Sequence, residues 1–220
     1  FDWCLYDWCN FCLSLGFVIP NAEYNIMPNK LYLFTCIILS FATSTRICAQ
    51  SLTEVRDFGE NRGNLRMYVH DNNKDNQIEK PLVIVLHGCS QSAEKVAAQS
   101  GWNILADKYG FMVVYPEQKF SNNTSGCFNW FYSKDIDPKS GESSSILEMI
   151  DYAKENYNID STRIFIYGLS AGAAMTVNLL ANAPSTFNSG ASLAGGPYGM
   201  ATNFIQAARA MLNPKIRTAK

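Results

Sequence analysis

Short runs of apolar and small residues punctuate the chain from residue 81 onward. They are PLVIVL at 81–86, FMVVYP at 111–116, RIFIYG at 163–168 and GASLAGG at 190–196. Uninterrupted runs of this length are typical of strands that are buried on both faces, as in a parallel sheet. We therefore predict four core strands in this part of the chain.

The segments between these runs have helical spacing, and they predict helices at 93–110, 143–158 and 171–183. The residues expected to face inward in the first two are Val96, Trp102, Leu105 and Ala106, and Ile146, Leu147, Ile150 and Ala153. A turn-rich stretch between two short strands predicts a hairpin at Leu52–His70. Strands that alternate with helices imply a mostly parallel sheet covered by helices on both faces, so the predicted fold class is α/β.

The first 49 residues have a different pattern. Residues 1–26 begin with Phe1 and show no helical or strand period, so we interpret them as a non-native upstream segment. Residues 27–49 start at Met27, continue through Lys30 and an apolar stretch at 31–44, and end in small Ala49. This order is typical of a secretory signal peptide. A buried helix and a lipid anchor on Cys48 are the alternatives, and Ile47 before that cysteine argues against the anchor.

This reading leaves 50–220 as the mature domain, and it predicts a secreted protein, extracellular or periplasmic. The chain contains seven cysteines, of which only Cys89 and Cys127 lie in the mature domain. Two cysteines in the mature domain of an exported protein suggest one disulfide. The net charge is -1, so the chain lacks the excess of positive charge that would favour binding to nucleic acid or to an anionic membrane surface. We expect neither partner, and no integral membrane association after signal cleavage.

The stretch GLSAG places Ser170 between Gly168 and Gly172, directly after a predicted strand and before a predicted helix. This is the context of a nucleophile elbow, the tight turn that raises a catalytic serine above the edge of a sheet. Glycines are needed on either side because larger side chains would collide with the adjoining strand or helix. The alternative is a glycine-rich turn with an incidental serine.

A second turn, LHGCSQ at 86–91, follows the first core strand, where the oxyanion loop of such a fold is expected. A tetrahedral intermediate needs two N–H donors aimed at its negative oxygen. The backbone of Ala171 should supply one donor, and Cys89, or alternatively Ser90, the other. His87 is interpreted as a structural residue of this turn, with a role as the proton-accepting base as the weaker alternative.

The remaining chemistry-bearing residues favour structural roles. His70 is expected on a hairpin strand, and Asp151 and Asp160 on a helix surface and in a turn. The two histidines have no cysteine or acid at ligand spacing, so no metal site and no cofactor are predicted. Trp130 is a candidate wall of a substrate cleft, although core packing is the slightly favoured interpretation.

Six motifs in order resemble the polyhydroxybutyrate depolymerase family of esterases, which overlaps with secreted feruloyl and acetylxylan esterases. They are LHGCSQS, GWNILADKYGFMVVYPEQ, CFNWF, GESSSI, IDSTRIFIYGLSAGAAM and GGPYG, and the resemblance covers about 52–198. It implies an α/β-hydrolase fold, Ser170 as nucleophile, the HGC turn (residues 87–89) as part of the oxyanion hole, and a disulfide bridge between Cys89 and Cys127. One departure is Phe128, where the family more often has tryptophan.

The larger departure is that no Asp, Glu or His follows Asp160. In this fold the triad acid and histidine come after the serine. We therefore expect a serine esterase acting on a polyester or an acylated polysaccharide, present here as an inactive fragment that lacks the last two strands, the acid and the histidine. The alternatives are a feruloyl or acetylxylan esterase, and a non-catalytic polymer-binding protein.

Overall fold

Six strands form one mixed sheet in the part of the chain that the computed structural model describes, residues 52–72 and 78–212. The segments assigned to 1–26 and 27–49 lie outside the described residues. The elements are β1 (Thr53–Val55), β2 (Arg66–His70), β3 (Lys80–Leu86), α1 (Ala93–Ser100), α2 (Trp102–Tyr109), β4 (Met112–Glu117), α3 (Ser133–Ile136), α4 (Gly141–Asn156), β5 (Ile159–Leu169), α5 (Ala171–Asn182), β6 (Ser189–Leu193) and α6 (Phe204–Leu212).

The strand order is β1-β2-β4-β3-β5-β6. The strands β4, β3, β5 and β6 run parallel to one another, whereas β1 and β2 form an antiparallel hairpin that joins the sheet alongside β4. The predicted hairpin and the mostly parallel sheet are therefore confirmed. Because parallel strands end at the same edge, the turns after β3, β4 and β5 are brought together there.

Helices cover both faces of the sheet, which explains why the core strands are apolar without alternation. On β3, Leu82, Ile84 and Leu86 face one layer, and this layer also contains buried residues of α4, α5 and α6. Val83 and Val85 face the opposite layer, where α1 and α2 pack. The α/β architecture predicted from the sequence is thus confirmed on both faces.

The segment predicted as one helix at 93–110 is two helices that break at Gly101. Gly101 has a φ of 73°, a left-handed conformation that glycine adopts without steric cost, and it ends α1 and begins α2. The break rotates α2, so Leu105 is exposed instead of buried, whereas Ala106 remains in the core. The prediction for Leu105 was wrong because it assumed one uninterrupted helical period.

The last strand also differs from its prediction. GASLAGG was expected to form a core strand, but all five residues of β6 are exposed. On its far side no strand pairs with β6 among the described residues, so it is an edge strand there. β6 nevertheless supports the site, because the Leu193 backbone carbonyl accepts a hydrogen bond of 2.9 Å from the Ser170 N–H.

Candidate active site

Ser170 occupies the sharp turn between β5 and α5. Its φ of 55° and ψ of -115° lie in a region that a non-glycine residue rarely adopts. Such a conformation costs of order 1–3 kcal/mol and is concentrated at functional sites. The turn is held from both sides, since the Ser170 N–H donates to Leu193 and its carbonyl accepts from Ala174 at 3.1 Å. This is the strand–turn–helix context that a nucleophile elbow requires.

The two glycines of the motif let α5 pack directly on the end of β3. A methyl group on Gly168 would collide with the Gly172 backbone and would lie 2.5 Å from the Thr176 hydroxyl. A methyl group on Gly172 would collide with the Leu86 carbonyl and would lie 2.6 Å from the His87 carbonyl. These atoms are mostly backbone and cannot move aside cheaply.

We expect Gly172→Ala to destabilise the fold by about 1–3 kcal/mol, the usual cost of overpacking. Gly196→Ala is a matched control, since its new methyl group would meet only the flexible end of Met200, at 2.9 Å. Urea unfolding followed by circular dichroism measures both variants. Equal unfolding midpoints for the two would contradict the close packing of α5 on β3.

The HGC turn after β3 lies against Ser170. A methyl group on Gly88 would lie 3.4 Å from Ser170 Cβ, so the two turns lie side by side. Within this turn the Gly88 N–H donates to the Gln91 side chain at 2.7 Å, and the Ser90 N–H donates to the Ser125 carbonyl at 3.0 Å. The Cys89 N–H has no acceptor within the described residues. This difference favours Cys89 over Ser90 as the oxyanion donor.

The second expected donor is the N–H of Ala171, the first residue of α5. An N–H in the first turn of a helix has no partner inside the helix, and the helix dipole places partial positive charge there. Ala171 thus adjoins Ser170 in the chain, and Cys89 follows Gly88, which lies beside Ser170. An anionic oxygen bound between them would be stabilised without any charged side chain.

Cys89 and Cys127 form a disulfide in the structure, as the resemblance implies. The bond ties the HGC turn to the loop that follows β4, across a sequence separation of 38 residues. The same loop and turn are also joined by the hydrogen bond between Ser90 and Ser125. The HGC turn is therefore anchored on the side that faces away from its own strand.

His87 is fully buried, and both of its ring nitrogens are engaged. The backbone N–H of Gln118 donates to Nε2 at 3.0 Å, so Nε2 is unprotonated. Nδ1 therefore carries the proton and donates to the Gly88 carbonyl at 2.7 Å. Burial lowers the pKa of His87, which keeps the ring neutral. A histidine bound in this way has no free nitrogen to accept the Ser170 proton, so its structural interpretation is retained.

His70 lies at the opposite edge of the sheet. It is paired in register with Val113 at the start of β4, whereas Ser170 follows the end of β5. Its Nε2 lies 2.7 Å from a carboxylate oxygen of Asp107 on α2. Among the described residues, no histidine is positioned to act on Ser170.

The two aspartates considered in the sequence have local partners. Asp151 pairs with Lys154 on α4 at 2.8 Å. Asp160, at the start of β5, accepts hydrogen bonds from Thr162 and Arg163, and these bonds lower its pKa to about 2. Asp151 has the helix-surface role that was expected, whereas the turn expected at Asp160 is wrong, because this residue is the second of β5.

A cleft of about 430 Å³ opens beside Ser170. Among the described residues its lining contains no charged side chain; these residues are Trp130, Ala171, Ala174, Ala194, Gly195, Gly196, Pro197, Met200, Ala210 and Met211 in addition to the serine. Trp130 is only 6% exposed, so it belongs to the core and also forms a wall of the cleft. The core interpretation of Trp130 is confirmed, and its role toward a substrate stays a prediction.

Glu142 is a buried site residue that sequence reasoning missed. It lies in the first turn of α4 and is 1% exposed. Its carboxylate accepts hydrogen bonds from the Gln118 side chain and from both the backbone and the side chain of Asn129. Burial raises the pKa of Glu142 to about 8, an effect that Asp135 reinforces and the N–H donors oppose. The GESSSI motif contained this residue, but only the fold reveals its partners.

Neither a membrane span nor a metal site is present among the described residues. No helix between 52 and 212, leaving aside 73–77, combines the length and apolar character needed to cross a membrane. Within the same ranges, no three or more His, Cys, Asp or Glu residues are grouped as metal ligands.

A mostly parallel sheet with helices on both faces, and a serine in a strained strand-to-helix turn, define the α/β-hydrolase fold. The sequence model described as "Esterase PHB depolymerase" matches residues 68–217. The chain therefore belongs to the esterase PHB depolymerase family, and the resemblance recognised in its motifs is confirmed.

Individual relatives agree with this assignment. The poly(3-hydroxyalkanoate) depolymerase C of Paucimonas lemoignei is 41% identical over 187 residues, which are 85% of this chain and 44% of that protein. Feruloyl esterase B of Talaromyces funiculosus is 37% identical over 155 residues, 69% of this chain and 42% of that protein. The structure of an acetyl xylan esterase from Aspergillus awamori matches with a TM-score of 0.65 and 29% identity, covering 71% of this chain and 56% of that one. The chain thus spans less than half the length of these two curated relatives.

Proposed function

We propose that this chain is the nucleophile-bearing part of a secreted serine esterase that hydrolyses carboxylic esters. The Ser170 hydroxyl attacks the ester carbonyl, the alcohol leaves, and water then releases the acid from the acyl-enzyme. The observation that carries the proposal is the contact between the strained Ser170 turn and the Gly88–Cys89 turn, whose Cys89 N–H is unoccupied.

The proton-accepting base comes from residues outside these 220. His70 and His87 are the two histidines of the sequence, and each has other partners. Without a base the Ser170 hydroxyl stays protonated near neutral pH and is a weak nucleophile. The chain by itself is accordingly an inactive fragment, and the complete gene product supplies the acid and the histidine.

The substrate is an ester with an uncharged acyl group, either a polyester or an acylated polysaccharide. Support comes from the cleft beside Ser170, whose lining is mostly apolar and, among the described residues, without charged side chains. A carboxylate or an ammonium group would lose its hydration there without gaining a partner. The named relatives act on hydroxyalkanoate polyesters or on feruloyl and acetyl esters, and these are the candidate substrate classes.

Secretion is part of the same proposal. The disulfide between Cys89 and Cys127 supports it, because disulfides persist in oxidising compartments outside the cytosol. The signal-like segment at 27–49 supports it independently.

Covalent labelling of the complete gene product by a fluorophosphonate tests the enzyme proposal. We expect one label, located on Ser170 by peptide mass spectrometry and abolished by Ser170→Ala. Ser192→Ala is the matched control, since Ser192 is a serine of the neighbouring strand that donates to the Ala173 carbonyl. An intact Ser170 that takes no label, in a product that contains a downstream histidine, would instead favour a non-catalytic polymer-binding protein.

A further inference from the structure

The Cys89 N–H, which is the expected oxyanion donor, shares a peptide group with the Gly88 carbonyl. The buried side chain of His87 donates a hydrogen bond to that carbonyl. The Gly88 carbonyl and the Cys89 N–H belong to the same peptide unit, and no cis peptide bond occurs in the described chain. In a planar trans peptide the N–H points away from the C=O. The Gly88 carbonyl accepts from His87 Nδ1 at 2.7 Å and from the Gln91 N–H at a longer 3.3 Å, so the buried imidazole makes the shorter of the two bonds that set the direction of the Cys89 N–H.

His87 can make this bond only in one tautomer, and Gln118 selects that tautomer. The Gln118 N–H donates to Nε2 at 3.0 Å, which leaves the proton on Nδ1. If Gln118 moved, Nε2 could take the proton and Nδ1 would become an acceptor facing a carbonyl oxygen. That arrangement would repel the Gly88 carbonyl and leave the peptide unit with only the longer bond from the Gln91 N–H, so the Cys89 N–H would turn away from its present direction.

Glu142 in turn holds Gln118. The Gln118 side chain donates to Glu142 at 2.5 Å and to the Cys127 carbonyl at 3.1 Å. Glu142 also accepts two bonds of 2.7 Å from Asn129, which fixes the other end of the same loop. Because Glu142 is 1% exposed, water does not compete for these bonds.

We propose that Glu142 is a positioning residue for the oxyanion hole, acting through Gln118 and His87 on the Cys89 N–H. The inference rests on the proposed esterase function, since it gives the Cys89 N–H its role. Glu142, which is far from Ser170 in the sequence, would in this way affect how well the transition state is stabilised.

The first experiment requires no activity. In the complete gene product labelled with ¹⁵N, NMR should show His87 protonated on Nδ1 and unprotonated on Nε2. Above pH 8, where Glu142 is ionised, Glu142→Gln keeps the size of the side chain but replaces one acceptor with a donor, so we expect shifts of the His87 ring signals and of the Cys89 amide. Unchanged signals at both positions would overturn the proposal, whether or not the protein is an esterase.

A matched control lies on the same helix. Glu148 of α4 accepts from the Asn61 N–H at 2.7 Å and from the Ser144 hydroxyl at 3.0 Å, and these partners differ from those of Glu142. Glu148→Gln should lower the stability of the protein and leave the Cys89 amide unchanged. Equal shifts of that amide in the two variants would indicate a general structural effect, and would also overturn the proposal.

The second experiment separates positioning from stability by the chemistry of the substrate. A p-nitrophenyl thionoester carries sulfur in place of the carbonyl oxygen and benefits little from an oxyanion hole. Removing an oxyanion donor costs about 10²–10³ in kcat, so misaligning one should cost about tenfold. We expect Glu142→Gln to lower kcat for the oxoester about tenfold with little change in KM, and to leave the thionoester rate nearly unchanged. An equal loss on both substrates would refute the positioning role, whereas absence of turnover in the unmutated protein would refute the esterase proposal instead.

Discussion

The 220-residue chain, expressed by itself, should hydrolyse p-nitrophenyl acetate far more slowly than the complete gene product. In serine proteases, removing the triad histidine alone costs roughly 10⁶-fold in kcat. What remains is the contribution of binding and of the oxyanion hole, about 10³–10⁴ over water. The same deficit is expected here because His87 and His70 are both engaged away from Ser170.

The measurement compares kcat for residues 50–220 with kcat for the same domain extended by its natural downstream sequence. Ser170→Ala in the extended form should abolish the gain. Comparable turnover by both proteins, lost in Ser170→Ala, would show that a base exists within this chain. His87→Ala would then identify it.

The features that the sequence predicts well are those encoded by neighbouring residues. The runs at 81–86, 111–116 and 163–168 predict buried strands because a strand covered on both faces has no polar side to interrupt it. The position of Ser170 in a turn follows from its flanking glycines and adjoining apolar segments. The β strand that contains RIFIYG begins four residues earlier, at Ile159, since its exposed polar start resembles a loop.

The features that the sequence predicts poorly depend on distant contacts. Gly101 could be tolerated inside a helix or could end one, and only the packing of α1 and α2 on the sheet selects the break. The exposure of β6 is set by its place in the strand order, which local composition does not encode.

The candidate site shows the same division. Ser170 and the HGC turn are visible as motifs, but the preference for Cys89 over Ser90 depends on a hydrogen bond from Ser90 to Ser125. Glu142 was missed because a glutamate in the first turn of a helix is usually solvated and interacts with the helix dipole. Its burial results from Gln118 and Asn129, which the loop after β4 carries over it.

Removing the disulfide should produce the largest loss of stability expected from any change outside the core. A bond that closes a loop of 38 residues restricts the unfolded chain by about 4 kcal/mol in the chain-entropy model. The double variant Cys89→Ser, Cys127→Ser should therefore unfold at a lower urea concentration than the oxidised protein, with a free energy of unfolding lower by about this amount. Reduction of the unmutated protein should give a similar shift.

Alkylation and intact mass provide the accompanying control. Unreduced, exported protein should leave Cys89 and Cys127 unmodified, and reduction should expose both to the reagent. Because the bond also anchors the HGC turn, the double variant should lose esterase rate in the complete gene product at urea concentrations where it remains folded. A variant as stable and as active as the oxidised protein would show that the hydrogen bonds of Ser90, Gln118 and Glu142 suffice to hold the turn.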